Sequence, residues 1–282
     1  MKIGLIMEGG GMSGVFTAGV MDVLMRNKIT FDGAIGVSAG AIFGVNIKSE
    51  QIGRVIRFNK KYCNDVRYVS LHSLLKTGNI FGADFCYNEL TYHLDPFDYK
   101  KFSENQMEFF VVCTDVATGK PVYHKLCTGL QDDILWCRAS ASMPLVSQIV
   151  EIDEKKYLDG GIADSIPIKY MQQIGYSKNI IILTKPLGYV MKPAKYLTWA
   201  RIIYKDYPDF INAISARHIV YNKTMEYISE MEKKKEVIVI RPSCKTHAGV
   251  IEKKPENLQK TYDDGVYQCT KLIKTIRQFI EK

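Results

Sequence analysis

Ser38 stands at the centre of G-V-S-A-G, residues 36 to 40, a pattern that presents a serine hydroxyl on a sharp turn. An apolar run, G-A-I-G-V (33–37), leads straight into it, and A-I-F-G-V-N-I leaves it. A strand–turn–helix elbow of this kind needs small neighbours, because its strained backbone passes close to other chain. Gly36 and Gly40 meet that need. Upstream, L-I-M-E-G-G-G-M-S-G (5–14) has two incompatible readings. Gly9, Gly11 and Gly14 fit G-x-G-x-x-G, which cradles a dinucleotide pyrophosphate. The same glycines would equally offer backbone N–H groups to a developing oxyanion.

The dinucleotide reading requires an acid at the C-terminal end of the second strand, to hold a ribose hydroxyl. Asp32 precedes the run G-A-I-G-V instead of ending it, so its carboxylate faces the opposite edge of the sheet. The position that should hold the acid is Ser38. Both glycine motifs end strands, so they share one rim of a parallel sheet. There the amides of Gly10 and Gly11, joined by that of Ala39, would converge on an ester carbonyl oxygen. Such donors are worth about 3 kcal/mol each against a developing negative charge. A serine also needs a base. Asp159, in Y-L-D-G-G-I-A-D-S-I-P (157–167), is the leading candidate, although Asp-Gly-Gly is also simply a turn. The histidines are 72, 93, 124, 218 and 247, and none lies in a diagnostic motif. A Ser38–Asp159–His247 order would suit a triad, so spacing leaves dyad and triad open.

The elements that must position these groups are visible as short, continuously apolar runs at 3–7, 33–37, 109–114, 179–183 and 237–240. Strands buried on both faces of a parallel sheet read this way. Helical patterns lie between them at 14–27, 39–48, 83–94, 130–141, 166–174 and 256–280. Ser165 and Pro167 read as the N-cap and first-turn proline of one of these. The expected fold is α/β, a mostly parallel central sheet flanked by helices, in one domain over 1–282. Its core motifs occupy 1–185, and a helical extension covers about 186–282. Phe210, Ile214, His218, Tyr221, Met225 and Ile228 recur at helical spacing as one face, with His218 expected in the core. Tyr189, Tyr196, Trp199, Tyr204 and Tyr207 are interleaved with Lys192, Lys195, Arg201 and Lys205. They would form an interfacial surface or a lid, with ordinary helix packing the plainer expectation.

Four motifs in order, G-G-G-M-S-G, G-V-S-A-G, R-A-S-A-S-M-P-L-V (138–146) and L-D-G-G (158–161), together resemble the patatin-like phospholipase family over roughly residues 1–185. The resemblance implies a three-layer fold and a Ser–Asp dyad without a metal or cofactor. Ser38 would be the nucleophile and Asp159 the base. Gly9, Gly10 and Gly11 with Ala39 would form the oxyanion hole, and Gly14, Gly36, Gly40, Gly160 and Gly161 are the motif glycines. The implied substrates are acyl esters of lipids, often phospholipids. Ser13 stands where many members carry Arg or Lys, which removes a phosphate-facing cation and favours a general acyl esterase. The rival from another class is a lipid- or acyl-binding protein that keeps the fold without turnover. A dinucleotide-dependent oxidoreductase is third, because of Asp32.

The bulk numbers agree with an ordinary globular chain: 282 residues, 46% hydrophobic, 24% charged, mean hydropathy −0.10. A net charge of +8 favours anionic surfaces, including peripheral contact with an anionic membrane. The densest charged run, E-M-E-K-K-K-E (230–236), mixes signs and reads as a solvated helix end, so no nucleic acid partner is expected. No stretch approaches a spanning helix, and the N-terminus is too short in apolar residues for a signal peptide. Seven cysteines without C-x-x-C spacing point to reduced thiols and a cytoplasmic location, with Cys113 in the core.

Overall fold

The computed structural model describes residues 1–281. In chain order the elements are β1 (Lys2–Met7), α1 (Val15–Arg26), β2 (Gly33–Val37), α2 (Ala39–Lys48), α3 (Arg54–Tyr62) and α4 (Leu71–Thr77). Next come α5 (Tyr99–Glu104), β3 (Glu108–Asp115), β4 (Pro121–Leu126), α6 (Gln131–Ser140), β5 (Val150–Ile152) and β6 (Lys155–Asp159). The remainder is α7 (Ile168–Gln173), β7 (Tyr176–Ile182), α8 (Leu197–Ile203), α9 (Pro208–Lys233), β8 (Val237–Ile240) and α10 (Pro255–Glu281). Between α4 and α5 the predicted helix is wound as a π-helix, Phe85–Leu94.

The five continuously apolar runs are the five parallel strands, in the order β3-β2-β1-β7-β8. Successive residues alternate between two cores, as a sheet covered on both faces requires. Leu5 and Met7 face the side packed by α1, α2 and α10, while Ile6, Ile35 and Val37 face the side packed by α7 and α9. This is a three-layer α/β fold. Three antiparallel strands, β4, β5 and β6, complete the sheet. They were not legible in the sequence, because each is short or half-buried and carries polar residues such as Lys125, Glu151 and Lys155.

The register of β3 fixes the geometry that matters. β4 runs along one edge of β3 from Phe109 to Thr114, so β2 and β6 must share the other edge. Val37, the last residue of β2, pairs with Val112, and Asp159, the last of β6, pairs with Cys113. The end of β6 therefore meets β3 just past the point where β2 turns away at Ser38. Two residues more than a hundred positions apart arrive at one place by strand pairing.

Two local expectations are corrected. Ser165 does not cap α7: its hydroxyl donates to Gly161 O at 2.7 Å, and the helix begins at Ile168 with Pro167 before it. The helix starts later than the sequence suggests, so Pro167 occupies the N-cap position and Ser165 lies upstream of it, bracing the Asp-Gly-Gly turn instead. Packing also fails to account for the whole aromatic cluster. Tyr204 is buried, but Trp199 is exposed on α8. The α9 face is as read, with Phe210, Ile214, Tyr221 and Ile228 buried, and Cys113 lies in the core.

Candidate active site

Ser38 occupies the turn between β2 and α2 with φ 55° and ψ −121°, a conformation costly for any residue with a Cβ. Its neighbours explain how the turn persists. A Cβ on Gly36 would lie 2.3 Å from Gly40 O, and one on Gly40 would lie 2.2 Å from Met7 O. Only glycine permits that approach. The elbow is pinned further by a group the sequence did not reveal. Ser38 N donates to the buried Ser140 Oγ at 3.0 Å. Ser140 lies in R-A-S-A-S-M-P-L-V, and so does Ser142, whose carbonyl accepts from Asp159 N at 2.8 Å. One short segment thus holds both candidate catalytic residues by their backbones. Ser140→Ala would leave the Ser38 amide buried without an acceptor, at a cost of about 1–3 kcal/mol. The expected outcome is a lowered Tm together with a lowered kcat for ester hydrolysis, while Ser140→Thr retains most of both.

The glycine loop abuts the elbow. A Cβ on Gly9 would lie 2.8 Å from Ser38 Cβ and 3.6 Å from Ser38 Oγ. The flanking amides are committed, Glu8 N to Ile182 O and Met12 N to Val250 O, both at 3.0 Å. Between them the amides of Gly10 and Gly11 have no protein acceptor among the described residues, and neither has that of Ala39 at the start of α2. The predicted donors are thus uncommitted, and Gly10, Gly11 and Ser38 line one cavity. Asp32, by contrast, accepts from Ile3 N at 2.6 Å at the far end of the strands. No acid waits for a ribose.

Glu8, at the end of β1, was not singled out in the sequence. It is buried, and its carboxylate accepts from Thr184 N at 2.6 Å and from Tyr221 OH at 2.8 Å. The Thr184 hydroxyl, with one proton, sits 2.7 Å from Gly9 O and 3.1 Å from the same carboxylate. This network ties the first glycine of the loop to β7 and to α9. Burial pushes the Glu8 carboxyl up from its ordinary value, against the hydrogen bonds that favour its charge. The only sequence signal was an acid ending an otherwise apolar strand.

Asp159 is buried, with Oδ1 accepting from Gly161 N at 2.8 Å. Its backbone carbonyl accepts from the Thr114 hydroxyl, also at 2.8 Å. Burial raises its pKa above the ordinary 3.8, opposed by the Ser38 hydroxyl, the Arg217 charge and the Gly161 amide in that order. Ser38 is thus near enough to favour the ionised carboxylate, although its hydroxyl makes no hydrogen bond of ordinary geometry among the described residues. Catalytic pairs without substrate are commonly this loose. Arg217, on α9, donates from Nε to Gly161 O at 2.6 Å and is in ion-pair contact with no carboxylate among the described residues.

Two cavities meet at Ser38. One of about 140 Å³ is apolar, lined by Ile42, Phe43, Phe58, Phe81 and Leu90 among others. The other, of about 560 Å³, is lined by Gly9, Gly10, Gly11, Ser38, Asp159 and Arg217, with Lys185, Lys192 and His218. His218 is therefore a cavity wall rather than closed core, and its Nδ1 is buried without a hydrogen-bond partner. His247 lines neither cavity. Ser13 does not face the cavities as a substitute for the cation many relatives carry: it is buried, and its hydroxyl donates to Gly10 O at 2.7 Å. Cations reach the larger cavity from the C-terminal part of the chain instead.

The profile of the patatin-like phospholipase family matches residues 5–171, which is more than half of the chain and contains Ser38, Asp159 and both glycine motifs. The chain belongs to the patatin-like phospholipase family. That family is one of lipid acyl hydrolases, which gives the chain its general class. A second family, described as a domain of unknown function (DUF6363), matches residues 207–281. Among curated relatives, an Escherichia coli (strain K12) protein described as uncharacterized protein YjjU is 26% identical over 280 residues, covering 94% of this chain and 75% of the relative. A Caenorhabditis elegans patatin-like phospholipase domain-containing protein, ZK370.4, is 24% identical over 186 residues, covering 61% of this chain and 13% of that larger protein. Among solved structures, VipD from Legionella pneumophila aligns over 97% of this chain and 67% of its own at TM-score 0.47 and 12% identity.

Proposed function

We propose that this patatin-like chain is a serine acyl hydrolase that cleaves carboxylic ester bonds of lipids, phospholipids foremost, through a Ser38–Asp159 dyad. The observation that carries the reading is the carboxylate inventory of the larger cavity. Among its lining residues only Glu8 and Asp159 are acids, and Glu8 is committed to Thr184 and Tyr221. Asp159 is left as the base beside Ser38. His218 lines the same cavity without a hydrogen bond to either residue among the described residues.

The chemistry follows from this placement. Ser38 Oγ attacks the ester carbonyl carbon as Asp159 accepts its proton. Negative charge moves to the carbonyl oxygen, towards the amides of Gly10, Gly11 and Ala39. The tetrahedral intermediate collapses, the alcohol leaves with the proton from Asp159, and the acyl group stays on Ser38. Water then attacks the acyl carbon as Asp159 takes its proton, the second tetrahedral intermediate collapses with that proton passing from Asp159 to the leaving Ser38 Oγ, and the carboxylic acid departs. No step calls for a cofactor. The apolar cavity suits the acyl chain, and the wider one suits the alcohol side. Lys185, Lys192 and Arg217 there offer charge to a phosphate, which supports phospholipids despite Ser13. The expected setting is the cytoplasm, at a membrane face. Among the described residues no helix is long and apolar enough to cross a membrane.

A fluorophosphonate probe tests this reading. It should label the wild-type chain on Ser38, with labelling blocked by prior acylation. No labelling of wild type, or equal labelling of Ser38→Ala, would leave the lipid-binding alternative in possession of the fold.

A further inference from the structure

The segment joining β7 to α9 has a composition unlike the rest of the chain. Residues 185–205 hold five cations, Lys185, Lys192, Lys195, Arg201 and Lys205, and no carboxylate, within a chain whose net charge is +8. The same stretch exposes large apolar side chains: Leu187 is 77% exposed, Val190 65%, Trp199 64%, Ile202 60% and Ile203 58%. On α8, Trp199, Ile202 and Ile203 fall at i, i+3 and i+4, one face of the helix, while Ala200 and Tyr204 turn inward and are buried. Scattered apolar residues on a surface need no explanation, but a cluster interleaved with cations does.

This stretch is not a loose loop. Met191 N donates to Asn222 Oδ1 at 2.9 Å, and Asn222 Nδ2 returns a bond to Met191 O at 3.1 Å. At the other end the buried Tyr204 hydroxyl accepts from Leu145 N at 2.9 Å. The backbone is anchored to α9 and to the turn beside the site, so the apolar side chains are held outward. Its inner side is the wall of the larger cavity, through Lys185, Tyr189, Met191, Lys192 and Tyr196. One strip of chain thus presents grease and positive charge outward and lines the space beside Ser38 inward.

We propose that residues 187–203 with Lys205 are a membrane-docking face, in which Leu187, Val190, Trp199, Ile202 and Ile203 enter the interfacial zone of an anionic bilayer. Lys195, Arg201 and Lys205 hold its headgroups. The proposal rests on the acyl-hydrolase reading for its purpose, which is to set the cavity mouth against the lipid that fills it. An anionic lipid surface is favoured over a protein partner on two grounds. A run of cations with no acid between residues 185 and 205 complements an anionic surface of any detailed shape, and an exposed amphipathic Trp suits the headgroup boundary.

The chain carries its own reporter. It has two tryptophans, and Trp136 is buried and stacked on His124, whereas Trp199 is exposed. On mixing the full chain with phosphatidylglycerol-containing vesicles, tryptophan emission should shift to the blue and be quenched by bromine-labelled acyl chains. Binding should weaken with salt and on vesicles of phosphatidylcholine alone. Ile202→Asp with Ile203→Asp, and separately Lys195→Gln with Arg201→Gln and Lys205→Gln, should each cut vesicle partitioning and vesicle hydrolysis by at least roughly tenfold. Both variants should keep wild-type hydrolysis of a water-soluble short-chain ester. Failure of wild type to bind the vesicles, or undiminished binding by either variant, overturns the docking face. So does self-association that the Ile202/Ile203 variant abolishes, which would assign the face to a second copy. Loss of all ester hydrolysis by wild type with vesicle binding intact would instead remove the hydrolase reading and leave the docking face standing.

Discussion

Ser38→Ala is expected to lower kcat for a lipid or short-chain ester by roughly 10⁴- to 10⁶-fold, since removing a nucleophile leaves only binding and oxyanion stabilisation. The size of the effect depends on the elbow surviving the change. What holds the turn is backbone and glycine: the Ser38 amide on Ser140, Gly36 against Gly40, and Gly40 against Met7 O. None of these involves the Ser38 hydroxyl, and alanine keeps the Cβ. The variant should therefore match wild type in Tm within the small range expected of a single buried hydroxyl, about 1 kcal/mol. Steady-state hydrolysis and thermal unfolding measured on the same preparations check both halves. A variant retaining a tenth of wild-type kcat would place the nucleophile elsewhere.

How far the sequence alone reaches can be judged from these same residues. Gly36, Gly40 and the loop at Gly9–Gly11 are legible because close backbone approach leaves one residue type able to fill the position. Ser38 is legible because the apolar run before it and the helix after it fix its place at a sheet edge. Asp159 is different. As Asp-Gly-Gly it reads equally as a turn, and only the resemblance of four ordered motifs made it a base. Its approach to Ser38 depends on β6 following β2 along one edge of β3, and β6 has too little apolar patterning to be read as a strand. Ser140, Ser142, Thr114 and Glu8 were invisible as positioning groups for the same reason. Each acts through a backbone atom of a residue distant in sequence, and ordinary serine, threonine or glutamate carries no mark of that.

The C-terminal part shows the same limit from the other side. The face of α9 was correctly patterned by its apolar residues, yet Arg217, on a partly exposed flank, carries a consequence the pattern does not encode. Its Nε bond to Gly161 O braces the turn that follows Asp159, and its charge favours the Asp159 carboxylate. Glu8 is likewise tied to α9 through Tyr221. The residues matched by the patatin-like profile end at 171, but the electrostatics of the site extend past residue 200. The match to a domain of unknown function over 207–281 therefore covers Arg217 and His218, which line the same cavity as Ser38 and Asp159.

Asp159→Asn is expected to lower kcat by roughly 10²- to 10⁴-fold, the range for losing a general base. Its effect on stability should run the other way. Asparagine keeps an oxygen for the Gly161 amide and removes a charge that burial opposes. Because the folded-state pKa of Asp159 is raised, its contribution to stability is fully present below the unfolded value, near 3.8, and is lost as pH rises through the higher folded value. Asparagine has no such loss. The Tm of the variant relative to wild type should therefore climb as pH rises through the folded pKa and level off above it. Glu8, Asp22 and Asp164, whose pKa values are also raised by burial, are common to both proteins and cancel in the difference. The same titration governs turnover, because the base works only when ionised. Wild-type kcat should rise with pH on a limb lying above 3.8 and then reach a plateau, while the residual activity of the variant should lack that limb. A wild-type profile flat from about pH 4 upward would mean that Asp159 titrates like an exposed carboxylate. Equal acid limbs in the two proteins would move the base to another residue.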